Sequence, residues 1–293
     1  MKFINQGNLF MNTLSKKFAL AALTLVAAAS SQAALLFYDG FNYAAGSING
    51  TQNGGIGGLT AWVEGEGTVT NDPTIVSSGL TAPGLSTIGG ALSDTTSSSL
   101  GARRTFDNTG LGADGTSVWF SALYNHTSAG SDFRLKLFAD SSISLGTSGY
   151  ATAANSGIGF NFTGGTGLRV ENQNVQIGTA TALAVNTVHL VVGRIDFSDT
   201  SNADRVLLWV NPTISLTAPL DAAAAQNVTG FNLQATLGNA VAARWGGAGT
   251  GIIDEIRLGN TFGDVVAIPE PSTYALLLGG LGALVWLRRR PAS

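Results

Sequence analysis

Short apolar runs separated by polar, glycine-rich segments recur along most of this chain. In Phe133–Leu137 the apolar residues take the odd positions, while Arg134 and Lys136 take the even ones. This alternation predicts a half-buried strand with both basic side chains on the face away from the core. Val118–Tyr124 is apolar on both faces, which predicts a central strand with Trp119 in the core.

Further strands are predicted wherever β-branched and aromatic residues form a run of suitable length. These segments are Leu35–Tyr38, Trp62–Val63, Thr68–Val69, Thr74–Val76, Arg103–Phe106, Ser142–Leu145, Gly157–Phe162, Gly167–Val170, Val175–Ile177, Val188–Asp196, Arg205–Val210, Phe231–Gln234, Val241–Trp245 and Gly251–Leu258. The polar residues 197–204 separate two of the clearest strands and predict a hairpin with a long loop. Asp221–Gln226 contains four alanines, which favours one helical turn, and residues 259–267 are predicted to be a linker.

The N-terminal end departs from this pattern. Lys16 and Lys17 precede the unbroken apolar run Phe18–Ala29, and Ser31-Gln32-Ala33 has the small residues of a cleavage site. A basic region, an apolar region and a small-residue site in this order predict an export signal peptide over residues 1–33. Its removal would require signal peptidase.

The C-terminal end also has a distinct organisation. Three features follow one another there: Pro269-Glu270-Pro271, an apolar run over residues 274–287, and Arg288-Arg289-Arg290. As a helix at about 1.5 Å per residue, the apolar run would reach roughly 21 Å, which is short of the ~30 Å hydrocarbon core of a bilayer. The arginines would keep the end of this single hydrophobic helix on the cytoplasmic side.

This order of features resembles the PEP-CTERM sorting tail of exported bacterial proteins, here over residues 269–293. The resemblance implies that an exosortase recognises and processes the tail. It also implies transient anchoring in the membrane through the C-terminal helix, followed by release to the cell surface or the extracellular space. A plain membrane anchor is the alternative interpretation, which the short span disfavours.

Composition describes the remaining body, residues 34–266. Glycine accounts for 39 of the 293 residues and charged residues for 11%, yet the apolar residues come in strand-length runs, which favours an all-β domain over disorder. The chain has no cysteine, which excludes disulfides and thiol chemistry. The body contains nine Lys or Arg against seventeen Asp or Glu. This acidic balance argues against a nucleic-acid partner.

Three segments of the body carry a second resemblance. Val188–Asp196, the strand 205–210 with Asn211-Pro212 after it, and Ile252–Gly259 resemble the last strands of concanavalin A-like and laminin-G-like jelly rolls. The resemblance implies two antiparallel sheets packed face to face as a jelly-roll sandwich. It implies no function, because this fold carries lectins, hydrolases and passive domains alike.

The acidic residues of the body do not form a recognisable glycosidase pair. Two carboxyl groups must lie ~5–5.5 Å apart for retaining chemistry, or ~6.5–9.5 Å apart for inverting chemistry. Asp254 and Glu255 are adjacent, which predicts opposite faces of a strand, and we expect Glu255 to be exposed and paired with Arg257. Glu64 and Glu66 are two residues apart, but the glycines beside them favour a loop. We therefore predict no catalytic residue and no enzyme.

Two binding sites are candidates. Four residues of the predicted hairpin could supply oxygen ligands to calcium: Asp196, Asp199, Asn202 and Asp204. Because such residues are also common in turns, a solvated loop is the alternative, and no other cofactor is predicted. Trp62 and Trp245 lie beside glycine-rich segments, so we expect them on an exposed face that could bind a sugar.

The leading hypothesis is an exported, exosortase-sorted protein of the cell surface or extracellular matrix with a non-enzymatic body. The first alternative is a carbohydrate-binding module for adhesion, with exopolysaccharide as its partner. The second is a divergent polysaccharide hydrolase. An exposed aromatic groove would favour the former alternative, and a pocket with convergent carboxylates the latter.

Overall fold

The computed structural model describes most of the body between residues 35 and 266. The described ranges are 35–48, 50–64, 73–94, 100–128, 130–141, 157–163, 167–173, 175–200, 202–215, 217–233, 237–247 and 250–266. They all fall within one compact unit, Ala33–Ile268. The predicted signal peptide and sorting tail, and the predicted strands at residues 68–69 and 142–145, lie outside the described residues.

The described residues form sixteen β-strands and one short α-helix. In chain order the strands are β1 (Leu35–Asp39), β2 (Gly46–Ser47), β3 (Val63–Glu64), β4 (Thr74–Val76), β5 (Ala91–Asp94), β6 (Leu100–Thr105), β7 (Ser117–His126), β8 (Ser131–Ala139), β9 (Ile158–Thr163), β10 (Gly167–Asn172), β11 (Val175–Thr181), β12 (His189–Asp196), β13 (Asp204–Val210), β14 (Gln226–Phe231), β15 (Ala240–Gly247) and β16 (Gly251–Gly259). The helical turn predicted within Asp221–Gln226 is present as a 3₁₀ helix at Asp221–Ala223, and helix α1 spans Phe262–Val265.

These strands make two antiparallel sheets. Sheet 1 has the order β14-β13-β12-β7-β16-β5-β4-β2, with β1 also paired to β16, and sheet 2 has the order β11-β10-β9-β8-β15-β6-β3. Consecutive strands such as β7 and β8, or β15 and β16, lie in different sheets, so the chain crosses repeatedly between the two layers. The predicted all-β fold, a two-sheet jelly-roll sandwich, is confirmed.

Strand β7 has the central position that its sequence predicts. It lies between β12 and β16 in sheet 1. Phe120 and Tyr124 face the core between the two sheets, whereas Trp119 and Leu123 face a second apolar core on the outer side of sheet 1. An apolar sequence on both faces therefore reflects a strand that is covered on both sides.

The second core is closed by helix α1. Trp119 stacks on Trp209 with 5.5 Å between ring centroids, and Phe262 of the helix packs edge-on against Trp119. Thr261 and Asp264 form a capping box that begins the helix, because each side chain accepts a hydrogen bond from the other residue's backbone N–H. The segment predicted to be a linker thus contains a helix that completes the fold.

A buried carboxylate at Asp39 connects the two sheets. Asp39 lies at the end of β1 in sheet 1 and forms a 2.6 Å salt bridge with Arg104 of β6 in sheet 2. It also accepts hydrogen bonds from Trp62 Nε1, Tyr43 Oη and the backbone N–H of Phe41. Four donors thus satisfy one charge that burial would otherwise make very unfavourable.

Removing one partner of this salt bridge should be far more damaging than removing both. Asp39→Ala leaves the Arg104 guanidinium buried without its anion, so we expect a loss of about 3–5 kcal/mol in the free energy of unfolding. Urea denaturation of the purified protein would measure this loss. Asp199→Ala, at an exposed position, is the control and should change stability by less than about 0.5 kcal/mol.

The double variant Asp39→Ala/Arg104→Met completes the cycle. This variant removes both charges and keeps an apolar side chain at position 104. Its loss of stability should therefore be smaller than the sum of the losses of Asp39→Ala and Arg104→Met measured separately. Additive losses would contradict the assignment of the pair as the connection between the sheets.

Candidate functional site

Trp62 and Trp245, the expected sugar-binding tryptophans, are both 0% exposed. Trp62 donates its Nε1–H to Asp39 at 2.6 Å, and Trp245 donates its Nε1–H to the carbonyl oxygen of Gly251 at 3.1 Å. Each ring is thus buried with its polar edge satisfied, as buried indoles usually are. The expectation that these two residues occupy an exposed face is wrong.

Asp196, the first of the four expected calcium ligands, belongs to an ion-pair cluster. Its carboxylate lies 2.7 Å from both Arg194 and Arg205, and Asp221 lies 2.9 and 2.8 Å from the same two arginines. Burial raises the pKa of Asp196, but hydrogen bonds from Arg194, Ser117 and Arg205 outweigh it and leave the pKa lowered. The carboxylate is therefore held by arginines.

The other three residues of the predicted calcium loop have different environments. Asp204 is buried and accepts hydrogen bonds from the backbone N–H groups of Ser198 and Leu233. Asp199 is exposed, and Asn202 has a φ of 62°, a turn conformation that asparagine tolerates. Across the described residues, no group of three or more His, Cys, Asp and Glu side chains could hold a metal ion. The structure does not bring the four residues together as a calcium site.

The acidic pair of the closing strand lies at a β-bulge. Between Asp254 and Arg257 the pairing of β16 with β7 slips by one residue, so that Glu255 and Ile256 together oppose Ala122. Glu255 has a φ of 53°, which is uncommon for a residue other than glycine. The extra residue turns both acidic side chains to the outer side of sheet 1. The expectation of opposite faces, which assumed a regular strand, is wrong.

Both acidic side chains hold the loop at residues 77–90, which connects β4 to β5. Asp254 accepts a hydrogen bond from the backbone N–H of Leu80 at 2.8 Å, and Glu255 accepts one from that of Ile88 at 2.7 Å. A side chain at Gly79 would come within 2.9 Å of Asp254, so the loop approaches the strand closely. The acidic pair therefore holds this loop against strand β16.

Arg257 adds further contacts between strand β16 and this loop. Its Nη2 lies 2.6 Å from Glu255 Oε2, and it also donates to the carbonyl oxygen of Ser86 in the same loop. The predicted pairing of Glu255 with Arg257 is confirmed, but the predicted exposure of Glu255 is wrong, since it is fully buried. A buried carboxylate committed to these partners is poorly placed to act on a substrate.

The outer face of sheet 2 carries a polar array that spans several strands. Phe133, Leu135 and Leu137 of β8 lie in the core, so Arg134 and Lys136 project from the opposite side. Strand register places three more basic residues on that side, and we call the five together the cationic face: Arg103, Arg134, Lys136, Arg169 and Arg244. More than half of the nine Lys and Arg residues of the body are thus on one surface of one sheet.

The register arranges this surface in cross-strand rows. The first row contains Arg169, Asn161, Arg134 and Arg244, the second contains Glu171, Gly159, Lys136, Ala242 and Arg103, and the third contains Thr163, Asp132 and Gly246. Directly opposite side chains on one face of a sheet are close neighbours.

Hydrogen bonds connect the polar residues of this face. They run from Arg169 to Gln176 (3.3 Å), from Gln176 to Thr163 (2.8 Å), from Thr163 to Asn161 (2.5 Å), from Asn161 to Asp132 (3.2 Å) and from Arg134 to Asp132 (3.2 Å). A connected network of this kind holds its side chains in defined positions.

Lys136 and Glu171 form the deepest part of the network. Lys136 Nζ lies 2.8 Å from Glu171 Oε1, with both side chains 0% exposed, and Arg134 lies 3.4 Å from the same oxygen. Burial lowers the pKa of Lys136 to about 8, although the charge of Glu171 opposes the shift. Lys136 lies on the face away from the core, as its strand pattern predicts, but its charge there is buried and paired.

Sequence reasoning missed most of this face. The alternation around Arg134 and Lys136 was a correct signal for one strand. Arg169, Glu171 and Arg244 carried no such signal, because their proximity depends on the register between strands that are far apart in sequence.

Comparison with known proteins identifies a sorting motif at the C-terminal end of the chain. Residues 267–290 match the PEP-CTERM protein-sorting motif, which includes Pro269 to Pro271 and Arg288 to Arg290. Because of this motif, the chain is an exported protein that is anchored transiently through its C-terminal tail and then reaches the cell surface.

No curated protein matches the chain significantly. None of the helices in the described part of the chain has the length and apolar character needed to cross a membrane.

The similar solved structures are distant. They include the lectin UEA-II in complex with galactose (13% identity, TM-score 0.39, covering 78% of this chain and 99% of that one). They also include the basic winged bean lectin with Tn-antigen (12%, 0.41, covering 75% and 96%). A third is the Trypanosoma rangeli sialidase with a difluoro sugar analogue (9%, 0.43, covering 80% and 32%). At such TM-scores these similarities carry no argument about the present chain.

The closing strand predicts a pH dependence of stability. Burial raises the pKa of Asp254 to about 8, against two backbone hydrogen bonds that lower it. The folded protein then keeps a proton that the unfolded chain releases above pH ~4, so stability should fall as the pH rises from ~4 to ~8. One proton limits this slope to about 1.4 kcal/mol per pH unit. Urea denaturation at pH 5, 6.5 and 8 would measure it.

Asp254→Asn is the variant that isolates this group. The amide keeps one acceptor for Leu80 but cannot titrate, so the fall in stability between pH 5 and 8 should become smaller. Asp199→Asn, at an exposed site, is the matched control and should keep the wild-type slope. Identical slopes for the wild type and Asp254→Asn would show that Asp254 does not carry the dependence.

Proposed function

Starting from the PEP-CTERM sorting motif, we propose that this protein is a non-enzymatic component of the cell surface or extracellular matrix. An exosortase processes its tail, and the β-sandwich body is the part that remains outside the cell. The body acts as a stable binding domain of this surface and catalyses no reaction.

The observation that carries the non-enzymatic part is the commitment of the acidic pair Asp254 and Glu255. Catalysis by two carboxyl groups requires both to face a bound substrate. Here the two groups are buried and engaged by backbone N–H groups of Leu80 and Ile88 and by Arg257. Their positions serve the attachment of a loop, which supports a structural role.

The cationic face favours one alternative within this proposal, a body that binds carbohydrate for adhesion. It combines arginines with amide and hydroxyl groups in one hydrogen-bonded network, for example at Asn161, Thr163 and Gln176. Sugars are usually recognised by such polar side chains. A binding function is compatible with the non-enzymatic proposal and would deepen it.

Sorting should depend on the charge at the end of the tail. Changing Arg288, Arg289 and Arg290 together to Glu removes the basic flank that fixes the orientation of the span. The variant should therefore be misrouted and remain unprocessed, while the matched triple change to Lys should be sorted normally. Mass spectrometry of the C-terminus of the surface protein decides this. Retention of Arg288 to Arg290 in the wild-type surface protein would contradict processing of the tail.

Purified secreted protein should show no glycosidase activity on β-glucans, alginate or the exopolysaccharide of its own host. The physical reason is that Glu255 lies buried beneath a loop and that Glu171 is held by Lys136. Reducing-end assays and mass spectrometry of the products would detect turnover. Glu255→Gln and Glu171→Gln are the controls, and turnover that either change abolishes would overturn the non-enzymatic proposal.

A further inference from the structure

We propose that the only two histidines of this chain, His126 and His189, hold the connection between β11 and β12 in place at neutral pH and release it when the pH falls below about 6. We call the two residues the histidine pair and residues 182–188 the β11–β12 connection. The inference goes beyond the proposed function, because it concerns a response of the body to its surroundings. It is relevant to a protein that reaches the cell surface, where the medium sets the pH.

The histidine pair lies on the inner side of sheet 1. His189 is the register partner of Tyr124, and His126 follows Tyr124 by two residues on β7. All three side chains therefore project towards the core between the sheets, to which Tyr124 belongs. The two histidines are diagonal neighbours on this face, and they are only 1% and 6% exposed.

The histidine pair is in contact with the β11–β12 connection, which leads from sheet 2 to sheet 1. Nε2 of His189 lies 3.1 Å from the carbonyl oxygen of Ala184, and the carbonyl oxygen of His126 accepts a hydrogen bond of 2.8 Å from the backbone N–H of Asn186. The ring of His126 also packs on Phe162 of β9 in sheet 2, with 4.1 Å between the ring centroids. The pair thus holds the connection and contacts both sheets.

Asn211 determines the protonation state of His189. Its Oδ1 accepts a hydrogen bond of 2.8 Å from the backbone N–H of Leu190, so its Nδ2 is the atom that lies 3.3 Å from Nδ1 of His189. An amide nitrogen only donates, so Nδ1 of His189 is the acceptor and Nε2 carries the hydrogen that is donated to Ala184. The neutral ring satisfies every group, whereas a proton on Nδ1 would place two donors against each other.

His126 is also suited to its neutral form. Its ring lies between those of Tyr124 and Phe162, and its buried Nδ1 has no hydrogen-bond partner among the described residues. Burial lowers the pKa of His126, and the charge of His189 lowers it further. A proton on either histidine therefore disfavours the closed arrangement, and a proton on both adds repulsion between the two rings.

Three other ionisable groups flank the histidine pair. Burial raises the pKa of Tyr124, so its hydroxyl stays neutral, and the charge of Asp132 raises it further. Asp94 is in the same row as His126, but Gly251 of β16 lies between them. Neither carboxylate is among the causes of the lowered pKa of His126, and the β11–β12 connection contains no ionisable side chain.

The direction of the response follows from proton linkage. A detached histidine binds a proton below pH ~6.5, whereas the closed arrangement resists it, so each histidine favours the open form by up to about tenfold per pH unit below that value. Asp254 acts in the opposite direction over part of the same range, from the outer side of sheet 1. Global denaturation would combine the two effects, so the test requires a local measurement.

The experiment is hydrogen–deuterium exchange of the purified full-length protein at pH 7.5 and pH 5.0, analysed by mass spectrometry and corrected for the intrinsic pH dependence of exchange. Residues 182–190 should exchange at least about tenfold faster at pH 5.0. Strand β13, which lies within the same sheet, should change by less than about threefold. No acceleration in residues 182–190, or an equal acceleration in β13, would overturn the proposal.

Asn211→Asp is the most informative variant. The carboxylate keeps the acceptor for Leu190 and offers a second acceptor to a protonated His189, so the acid response of residues 182–190 should become at least about threefold smaller. Asn227→Asp makes the same change at an exposed position of β14, and this control should keep the wild-type response. An undiminished response in Asn211→Asp would contradict the role of His189.

The double variant His126→Phe/His189→Gln removes both titrating rings. Phenylalanine keeps an aromatic ring between Tyr124 and Phe162, and glutamine keeps an amide donor for Ala184, so the acid response should disappear while the connection stays closed at pH 7.5. Near-UV circular dichroism would show whether this variant is folded, and if it is not, Asn211→Asp alone decides. A wild-type acid response in the folded double variant would overturn the proposal.

Discussion

The salt bridge between Asp39 and Arg104 is the interaction on which the sandwich depends. Two charges removed from water are unfavourable unless their partners are complete, so the pair stabilises only one arrangement of the groups around it. That arrangement requires β1 in sheet 1, β6 in sheet 2, and Tyr43 and Trp62 from the segment between them. The pair therefore specifies how the first part of the chain joins the two layers.

Buried polar groups also attach chain segments on strand β16, which pairs with β1, but the outer surfaces of the two sheets differ. On sheet 1, Asp254, Glu255 and Arg257 attach a loop over a second apolar core. On sheet 2, the outer side chains are charged and joined in a polar network. The outer side of sheet 1 is thus covered by a loop and an apolar core, whereas the outer side of sheet 2 carries a network of charged and polar side chains.

The sequence was sufficient for the fold and insufficient for the site. Val118–Tyr124 and the segment around Leu135 predicted their strands correctly, because burial on one or both faces leaves a local pattern. The positions of Trp62 and Glu255 were predicted wrongly. The first depends on a distant acceptor at Asp39, and the second on a bulge that breaks the alternation of its strand.

The cationic face shows a further limit of the same kind. Arg134 stands out in its strand, but Arg169 and Arg244 belong to strands separated from it by tens of residues. Their alignment follows from pairing register, which no single stretch of sequence encodes. Long-range pairing determines the site, whereas local patterning determines the elements that build it.

The place where the body ends has a mechanical consequence. Helix α1 packs on the outer core, and Val265 accepts a hydrogen bond from Ser121 of the central strand β7. Immediately before the helix, β16 is bonded to β7, β5 and β1. While the tail is held in the membrane, tension on the chain would enter through α1 and load β16 along its length. Several rows of backbone hydrogen bonds would then resist in shear, so the domain would stay folded under pulling that would peel away an edge strand.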